Sequence, residues 1–264
     1  MSRSASLDPL WVARLHTRAE LPPTAPRLTL QLRRGGPRIG SIAAATWSRM
    51  QDAQLPVMAT DGRLALVGEP DAALASVARW LHAKGLAGRW RDELLDVPDE
   101  HDRPAATVER AAVRPLGITT RAVHLVGRTA DGRVWLQQRA ADKATDPNLW
   151  DTLMGGLVSA GESVDATLER ETWEEAGLRL PALQDVRRIG HVGVRRPVPE
   201  GYMVEHIDVF DALVPDTLRP ENQDGEVQRF EAVALDGLVD RLHADAFTLE
   251  AALVFDTWLR GHAR

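Results

Sequence analysis

The sequence predicts an α/β fold, a mixed sheet interrupted by one motif-bearing helix with further helices against its faces, preceded by a small α+β domain. Short apolar runs separated by Gly-Gly or Asp-Gly pairs indicate strands and hairpins. Windows with apolar residues three and four positions apart indicate amphipathic helices. A polar stretch bracketed by prolines, residues 98–104, is typical of a linker. We therefore divide the chain into residues 1–112, the small α+β domain, and residues 113–264, the mixed-sheet domain.

The first half is predicted to contain two helices and two hairpins. The Asp-Pro pair at 8–9 suits a helix start, with Asp as N-cap and Pro at the first helical position. The Gly-Gly pair at 35–36 and the Asp-Gly pair at 61–62 each favour a hairpin turn. The elements that follow the first helix are strands at 28–32, 38–44, 55–60 and 63–67 and a helix at 71–84. After the linker, residues 105–114 are predicted to form a short helix.

The second half is predicted to place strands on both sides of one central helix. An Asp-Gly pair at 131–132 joins the first two strands. Ser163 can cap the first turn of the central helix, and Gly177 suits the left-handed position that ends it. The predicted strands lie at 122–127, 134–139, 152–154, 187–195, 205–214 and 227–235, and two closing helices lie at 235–243 and 248–260.

The central helix gathers carboxylates on one surface. Glu171, Glu174 and Glu175 are spaced i, i+3 and i+4, which makes them neighbours on one helix face. Like charges in this arrangement repel by about 0.2–0.5 kcal/mol per pair unless a positive charge lies among them. A hard divalent cation is the compensating charge that we expect, Mg²⁺ or, with the same oxygen ligands, Mn²⁺. The alternative is a solvated acidic helix.

The composition narrows the classes of partner and chemistry. A hydrophobic content of 44% and a charged content of 27% are ordinary for a globular protein. The net charge of -6 argues against a general binder of nucleic acid or anionic membranes. The absence of cysteine excludes disulfides, thiolate zinc sites and cysteine nucleophiles. Residues 1–9 hold no apolar core of signal-peptide length and no run approaches a membrane span, so we expect a cytoplasmic location.

The segment at 156–178 resembles the Nudix box, in which a glycine, a glutamate, an Arg-Glu pair, a Glu-Glu pair and a final glycine stand at fixed spacing. The residues in register are Gly156, Glu162, Arg170, Glu171, Glu174, Glu175 and Gly177. Thr172 takes a position that usually holds a bulky aliphatic residue, a departure that bears on packing. The chain is therefore identified as a member of the Nudix superfamily. That resemblance implies an α/β/α sandwich and the hydrolysis of a diphosphate.

The resemblance also implies a role for each charged residue of the box. The three glutamates 171, 174 and 175 would bind the metal. Arg170 would orient this cluster through a salt bridge, and Glu162 would support the preceding loop by hydrogen bonding. Gly156, which has no side chain, would let that loop approach the substrate. We therefore place Gly156 and Glu162 at the substrate.

The general base remains open between two glutamates, because members of the family use either a box glutamate or one from a later loop. Glu171 is the candidate within the box. Glu226 is the later candidate, since it follows an Asp-Gly pair between two predicted strands. The alternative for Glu226 is an exposed glutamate after an ordinary turn.

Lys143 and Trp150, just before the box, are candidate substrate contacts. A lysine could reach a diphosphate, and a tryptophan could stack on a flat ring. The alternatives are a solvated Lys143 and a Trp150 in the core. His124, His191 and His206 lie in strand-like contexts, and we interpret all three as structural or surface residues.

Further stretches resemble the Nudix proteins related to thiamine pyrophosphokinase. These are residues 120–127, 143, 150–151 and 219–227, while residues 90–97 are similar to the end of the extra N-terminal domain that fungal and plant members carry. The resemblance implies hydrolysis of thiamine diphosphate or damaged forms such as oxythiamine diphosphate, giving monophosphate and phosphate. The expected partner is thus a small phosphorylated substrate, with neither nucleic acid nor membrane. A homodimer is left open.

Three alternatives stand beside this interpretation. A Nudix hydrolase of nucleoside diphosphate derivatives, such as ADP-ribose or NADH, would use the same chemistry with a different pocket. Isopentenyl diphosphate isomerase resembles this region, but that enzyme uses a cysteine in proton transfer and this chain has none. A non-catalytic Nudix-fold ligand-binding module typically loses box glutamates, and all of them are present here.

Overall fold

The computed structural model of the chain describes residues 7–143 and 145–262. In chain order its elements are α1 (Pro9–Ala19), β1 (Arg27–Gln31), β2 (Arg38–Ala43), α2 (Ala44–Met50), β3 (Val57–Thr60), β4 (Arg63–Leu66), α3 (Pro70–Ala83), β5 (Leu94–Pro98), β6 (Pro104–Glu109), β7 (Thr119–Arg128), β8 (Val134–Arg139), β9 (Trp150–Asp151), β10 (Met154–Leu157), α4 (Val164–Ala176), β11 (Gln184–Val198), β12 (Gly201–Leu213), β13 (Val227–Val233), α5 (Leu235–His243) and α6 (Leu249–His262). Residues 1–6, on which part of the signal-peptide prediction rests, and Ala144 lie outside the described residues.

The larger sheet is mixed, as predicted. Its strand order is β11-β12-β7-β8-β13, with β10 paired to β7 and β9 paired to β8. Strand β12 runs parallel to β7, and the other pairs in this sheet are antiparallel. Alternate residues of β7 belong to two separate apolar cores, since Val123 and Leu125 pack with α4 whereas Ala122 and Val126 pack with α6. The sheet therefore lies between a layer that contains α4 and a layer that contains α6.

The first module, residues 27–118, has its own sheet and core. The sheet has the order β2-β1-β4-β3, in which β1 and β4 run parallel and both outer pairs are antiparallel. Helix α3 begins with Glu69 as N-cap and Pro70 at the first helical position, and it buries one stripe of apolar residues, Ala73, Leu74, Val77, Ala78 and Leu81. This core extends to Leu116 and Ile118, just before β7. The α+β character predicted for the first half is therefore present.

Helix α1 does not belong to that module. Its buried residues Trp11, Leu15 and Ala19 lie in the core that α6 forms with the larger sheet. A hydrogen bond of 2.8 Å between His16 Nε2 and Asp256 Oδ2 joins α1 to α6. The prediction placed α1 in the domain of residues 1–112 because α1 precedes the other elements of that domain in the chain. An amphipathic stripe shows that a helix packs on a core but not which core it packs on.

The stretch predicted to be a linker and a short helix forms the β5–β6 hairpin instead. Asp99 closes the turn by accepting hydrogen bonds from the backbone N–H groups of His101 and Arg103, at 2.8 and 3.0 Å, and from the Arg103 guanidinium. The helix predicted at 105–114 is wrong because ladder bonds to β5 hold residues 104–109 extended. Only residues 110–112 form a single 3-10 turn. The division between the two cores accordingly falls near residue 118.

In the part of the chain that the structure describes, no helix is long and apolar enough to cross a membrane. Helices α3 and α6 each have 14 residues, whereas a membrane-spanning helix needs about 20 apolar ones.

Candidate active site

Helix α4 begins and ends at the residues that the sequence predicts. The Ser163 hydroxyl accepts a hydrogen bond of 3.2 Å from the N–H of Ala166, which caps the first turn. Gly177 ends the helix in the left-handed region with φ +62°. A Cβ at Gly177 would lie 2.5 Å from the carbonyl oxygen of Glu221, so the position requires glycine for space as well as conformation. Strand β10, the loop at 158–163 and α4 thus form one loop–helix unit.

Arg170 is the centre of the charged residues on this unit. Its Nε and Nη2 donate to the two carboxylate oxygens of Glu162 at 2.9 Å each. Its Nη1 donates to Glu171 at 2.8 Å and to Glu174 at 2.9 Å. The hydrogen bonds that Arg170 donates to Glu162 are the largest cause that raises the pKa of Arg170, which therefore stays charged. One guanidinium thus fixes the loop through Glu162 and the helix face through the other two glutamates.

Gly156 is the place where β10 meets the helix carboxylates. A Cβ added to Gly156 would overlap the carboxylate group of Glu171. The side chain of Glu171 is 14% exposed and lies directly over the strand backbone. Burial raises the pKa of Glu171, and the charge and hydrogen bond of Arg170 partly offset that rise. The glycine is therefore a close-approach position between strand and carboxylate.

Glu175 is buried at the base of the cluster. Its Oε2 accepts hydrogen bonds of 2.9 Å from Gln137 Nε2 on β8 and from the backbone N–H of Gly155. Burial, followed by the negative charge of Glu171, raises the pKa of Glu175 to about 8. Gln137 escapes the sequence analysis because a lone glutamine on a predicted strand carries no signal of its own.

The three helix glutamates do not form a ready-made ion site in this arrangement. Glu171 and Glu174 are directed at Arg170, and Glu175 is directed at Gln137. Among the described residues, no group of three or more His, Cys, Asp or Glu is arranged to hold a metal. The donor chemistry nevertheless fits a hard divalent cation, which prefers carboxylate oxygens. Burial raises the pKa of both Glu171 and Glu175, and the nearby carboxylates add to the rise, Glu174 for Glu171 and Glu171 for Glu175.

Lys143 and Glu226, predicted independently, form an ion pair between the Lys143 ammonium and Oε2 of Glu226. Burial acts to raise the pKa of Glu226, but the hydrogen bond and charge of Lys143 outweigh it and hold the pKa below its usual value. The positive charge of Lys143 also acts on Glu175 in the box helix. The structure therefore brings both predicted residues to the edge of the box cluster.

Trp150 is not part of this cluster. Its ring is buried in the core shared with α6, and the guanidinium carbons of Arg241 and Arg229 lie 4.6 and 5.1 Å from the ring centroid. Its backbone pairs with residues 246 and 248, just before α6. This environment matches the alternative interpretation of a core tryptophan. The stacking of a substrate ring on Trp150 has no support from its location.

The three histidines occupy the kinds of place that we expected. His124 is buried beside β10, and its Nδ1 lies 3.0 Å from Thr152 Oγ1 and 3.5 Å from an oxygen of Asp151. Burial lowers the pKa of His124. His191 and His206 are exposed on β11 and β12. None of these contacts joins a histidine to the box glutamates.

The first module forms a wall beside the box loop. The N–H of Ala160 donates to the carbonyl of Leu94 at 2.8 Å, and the N–H of Gly161 donates to Asp96 Oδ2 at 3.3 Å. The Ser159 hydroxyl donates to Glu93 Oε1 at 3.3 Å. Three consecutive residues of the box loop are thus tied to β5 or to the residue before it. The sequence could not show this contact, because residues 93–96 and 159–161 are distant in the chain.

The fold and the site together define a class of protein. In this class a mixed sheet carries an acidic loop–helix unit, and a strand that contains glycines leads into the loop. Comparison with known families gives the same answer, since the model of the NUDIX domain matches residues 118–253, more than half of the chain. The chain belongs to the NUDIX domain family. The matched region begins just before the larger sheet and leaves residues 27–117 of the first module outside it.

Individual relatives extend the comparison. Nudix hydrolase 20, chloroplastic, of Arabidopsis thaliana is 30% identical over 165 residues, which cover 61% of this chain and 44% of that protein. The isopentenyl-diphosphate Delta-isomerase of Streptomyces avermitilis is 31% identical over 166 residues, which cover 62% of this chain and 82% of that protein. A crystal structure from Deinococcus radiodurans is similar in fold, with a TM-score of 0.50 and 24% identity over 64% of this chain and 98% of that chain. The chain spans about half the length of the curated Nudix hydrolases it matches.

Proposed function

We propose that this protein hydrolyses the diphosphate linkage of a small organic diphosphate, so that water and the substrate give a monophosphate and inorganic phosphate. The observation that carries the proposal is the arrangement around Arg170. Its guanidinium holds Glu162, Glu171 and Glu174 at 2.8–2.9 Å on one surface, next to the glycines of β10. Membership of the NUDIX domain family supports the same chemistry.

We propose that Glu171, Glu174 and Glu175 hold Mg²⁺, with Mn²⁺ as the alternative that suits the same oxygens. When bound, such a cation supplies neutralisation of the phosphoryl oxygens and positioning of the attacking water. Other residues of the chain hold these glutamates close to one another on the helix. Arg170 fixes Glu171 and Glu174 toward one side of α4, and Gln137 with the Gly155 N–H fixes the orientation of Glu175.

Glu226 is the residue that we favour for accepting the proton of the attacking water. Lys143 holds its pKa low, so the carboxylate is ionised over the neutral range. Its side chain is 40% exposed, which gives water access to it, whereas that of Glu171 is 14% exposed and held by Arg170. A diphosphate would attract Lys143 by its charge and leave Glu226 available to accept the proton. Glu171 remains the second candidate.

The substrate that we propose is thiamine diphosphate or a damaged form such as oxythiamine diphosphate. The support is the resemblance of residues 120–127, 143, 150–151 and 219–227 to the thiamine pyrophosphokinase-related subgroup, and of residues 90–97 to its extra N-terminal domain. Residues 93–96 of that last stretch contact residues 159–161 of the box loop, a contact that supports a role for this stretch in substrate choice. The alternative substrates are nucleoside diphosphate derivatives such as ADP-ribose and NADH.

Similarity to an isopentenyl-diphosphate isomerase makes that reaction the second candidate. An isomerase of this kind moves a proton with a cysteine, and this chain contains no cysteine. The carboxylates at 171, 174, 175 and 226 are consistent with attack by water. None of them is a thiol that could take the place of that cysteine. We therefore retain hydrolysis as the proposed reaction.

The experiment that tests the proposal is release of phosphate, with Mg²⁺, from a panel of thiamine and oxythiamine diphosphates, ADP-ribose, NADH and nucleoside triphosphates. A phosphatase is added where the product is a monoester, and Glu174→Gln serves as the control. Preference for oxythiamine diphosphate, lost in the variant, is the expected result. Activity on nucleotides alone would support hydrolysis as the reaction and would contradict thiamine diphosphates as the substrate. No activity on the whole panel would favour a ligand-binding module.

A further inference from the structure

The contact between the first module and the box loop is centred on Glu93. This residue lies between two partners, because its Oε1 accepts from the Ser159 hydroxyl of the box loop at 3.3 Å and its Oε2 accepts from Arg110 Nη1 at 2.7 Å. The backbone of Arg110 is tied to the same residue, since its N–H donates to the Glu93 carbonyl at 2.8 Å. Arg110 is therefore anchored beside the box loop through both backbone and side chain.

Arg110 keeps donor capacity for a ligand. A guanidinium has five N–H donors, and Glu93 takes one of them in an ion pair where the arginine side chain is 37% exposed. Because Glu93 is a partner within the same module, Arg110 is held in place without pairing directly with the box carboxylates. The guanidinium thus has a fixed position and an accessible edge.

The contacts of Glu93 place Arg110 beside the box loop, because the same carboxylate binds Ser159 and the Arg110 guanidinium. The charge of Arg110 also acts on the later loop. Burial acts to raise the pKa of Glu226, and Lys143 first, then Arg110 and Arg91, hold it down. One arginine of the first module therefore lies beside the box loop and acts electrostatically on the later loop. A diphosphate bound between those two elements would lie within reach of its positive charge.

We propose that Arg110 is a substrate-binding residue of this active site, and that Glu93 positions its guanidinium to bind a phosphate group of the substrate. The first module then completes the site that the NUDIX domain supplies only in part. Guanidinium groups suit this task because their planar donors match phosphate oxygens in pairs. The inference deepens the proposed function and rests on it for the identity of the ligand as a diphosphate.

The test compares Arg110→Gln and Arg110→Lys with Arg49→Gln, which changes an exposed arginine on α2 of the same module. The probe is methylenediphosphonate, a diphosphate analogue that is not hydrolysed, and its binding with Mg²⁺ present is measured by titration calorimetry. KM and kcat are measured on the best substrate of the panel. Thermal melting of each variant shows whether it is folded.

Arg110→Gln is expected to weaken binding of methylenediphosphonate about tenfold or more, the loss typical of a charged hydrogen bond, and to raise KM by a similar factor with kcat changed less. Arg110→Lys keeps the charge and the pair with Glu93 and should lose only part of the affinity. Arg49→Gln should bind as the wild type does. If Arg110→Gln fails to fold, the Arg110→Lys variant decides the question by its dissociation constant.

Unchanged dissociation constants in both Arg110 variants would overturn the proposal, and so would a wild type that does not bind methylenediphosphonate. Failure of the hydrolase proposal has a different signature. In that case the wild type binds the analogue and the Arg110 variants bind it weakly, but no compound of the panel is hydrolysed. Normal hydrolysis with unchanged binding in the variants would refute the role of Arg110 alone.

Discussion

The ammonium group of Lys143 pairs with Oε2 of Glu226, a residue 83 positions later in the chain. The two side chains come from loops at the ends of β8 and β13, adjacent strands of the larger sheet. Each was a candidate for a different task, one for binding a diphosphate and the other for removing a proton. Their pairing means that they act as a unit, because anything that attracts Lys143 also changes the basicity of Glu226.

Replacing Glu226 by Gln should reduce turnover by at least about tenfold, because a positioned general base typically contributes about 10²–10⁴-fold. The amide keeps the size of the side chain, so the melting temperature should change little. The measurement is kcat on the best substrate of the panel at saturating Mg²⁺. Glu221→Gln, an exposed residue of the same loop, is the matched control and should keep wild-type turnover. Wild-type kcat in Glu226→Gln would remove this residue from the site and leave Glu171.

Gly156→Ala should impair both stability and activity, because the added Cβ would overlap the carboxylate of Glu171. Overpacking of this kind typically costs about 1–3 kcal/mol in the free energy of unfolding. Urea unfolding of the metal-free protein gives the stability, and phosphate release gives the activity. The control is Gly237→Ala on α5, where an added Cβ meets nothing within 4 Å and should leave the protein as stable or slightly more so. Equal stability for both variants would show that the strand and Glu171 can separate easily.

The parts of the molecule that could be predicted from the sequence are those with local causes. The hairpins around residues 35–36 and 61–62 follow from turn chemistry, and the bounds of α4 follow from a capping serine and a left-handed glycine. The surface shared by Glu171 and Glu174 follows from helical spacing, and Arg170 contacts both. These features depend on residues a few positions apart.

The parts that could not be predicted depend on contacts between distant segments. The sequence of α1 shows an amphipathic stripe but not that it packs on α6 in place of the first module. Residues 104–109 have a composition compatible with a helix and are extended because β5 pairs with them. Gln137 donates a hydrogen bond to Glu175, and Arg110 donates one to Glu93. No local pattern in the sequence indicates either of these partners. Helix α2, directly after β2, has no side-chain N-cap hydrogen bond, so no capping residue in the sequence indicates where it begins.

Glu175 should make the stability of the metal-free protein depend on pH. The pKa of Glu175 in the folded state is about 8, against an ordinary value near 4.5, so the folded protein binds this proton more tightly than the unfolded chain does. The stabilising contribution is therefore complete below about pH 4.5 and is lost as pH rises toward 8, with a slope of at most about 1.4 kcal/mol per pH unit. Urea midpoints in EDTA from pH 5 to 8 test this. In Glu175→Gln, whose side chain cannot ionise, the urea midpoint should depend less on pH. The same slope in both proteins would mean that other groups cause the loss of stability.

Addition of Mg²⁺ should raise the melting temperature of the wild type, and chelation should reverse the rise, because a ligand that binds only the folded state stabilises it by about 2.7 kcal/mol at a hundred times its Kd. The gain should increase between pH 6 and 8, since the cation competes with the proton that the raised pKa of Glu175 retains. Glu174→Gln and Glu175→Gln should each reduce the gain by removing a ligand charge. Glu169→Gln, on the exposed side of the same helix, should leave it intact. An equal rise in all four proteins would mean that the ion binds elsewhere on the molecule and that the three glutamates serve another purpose.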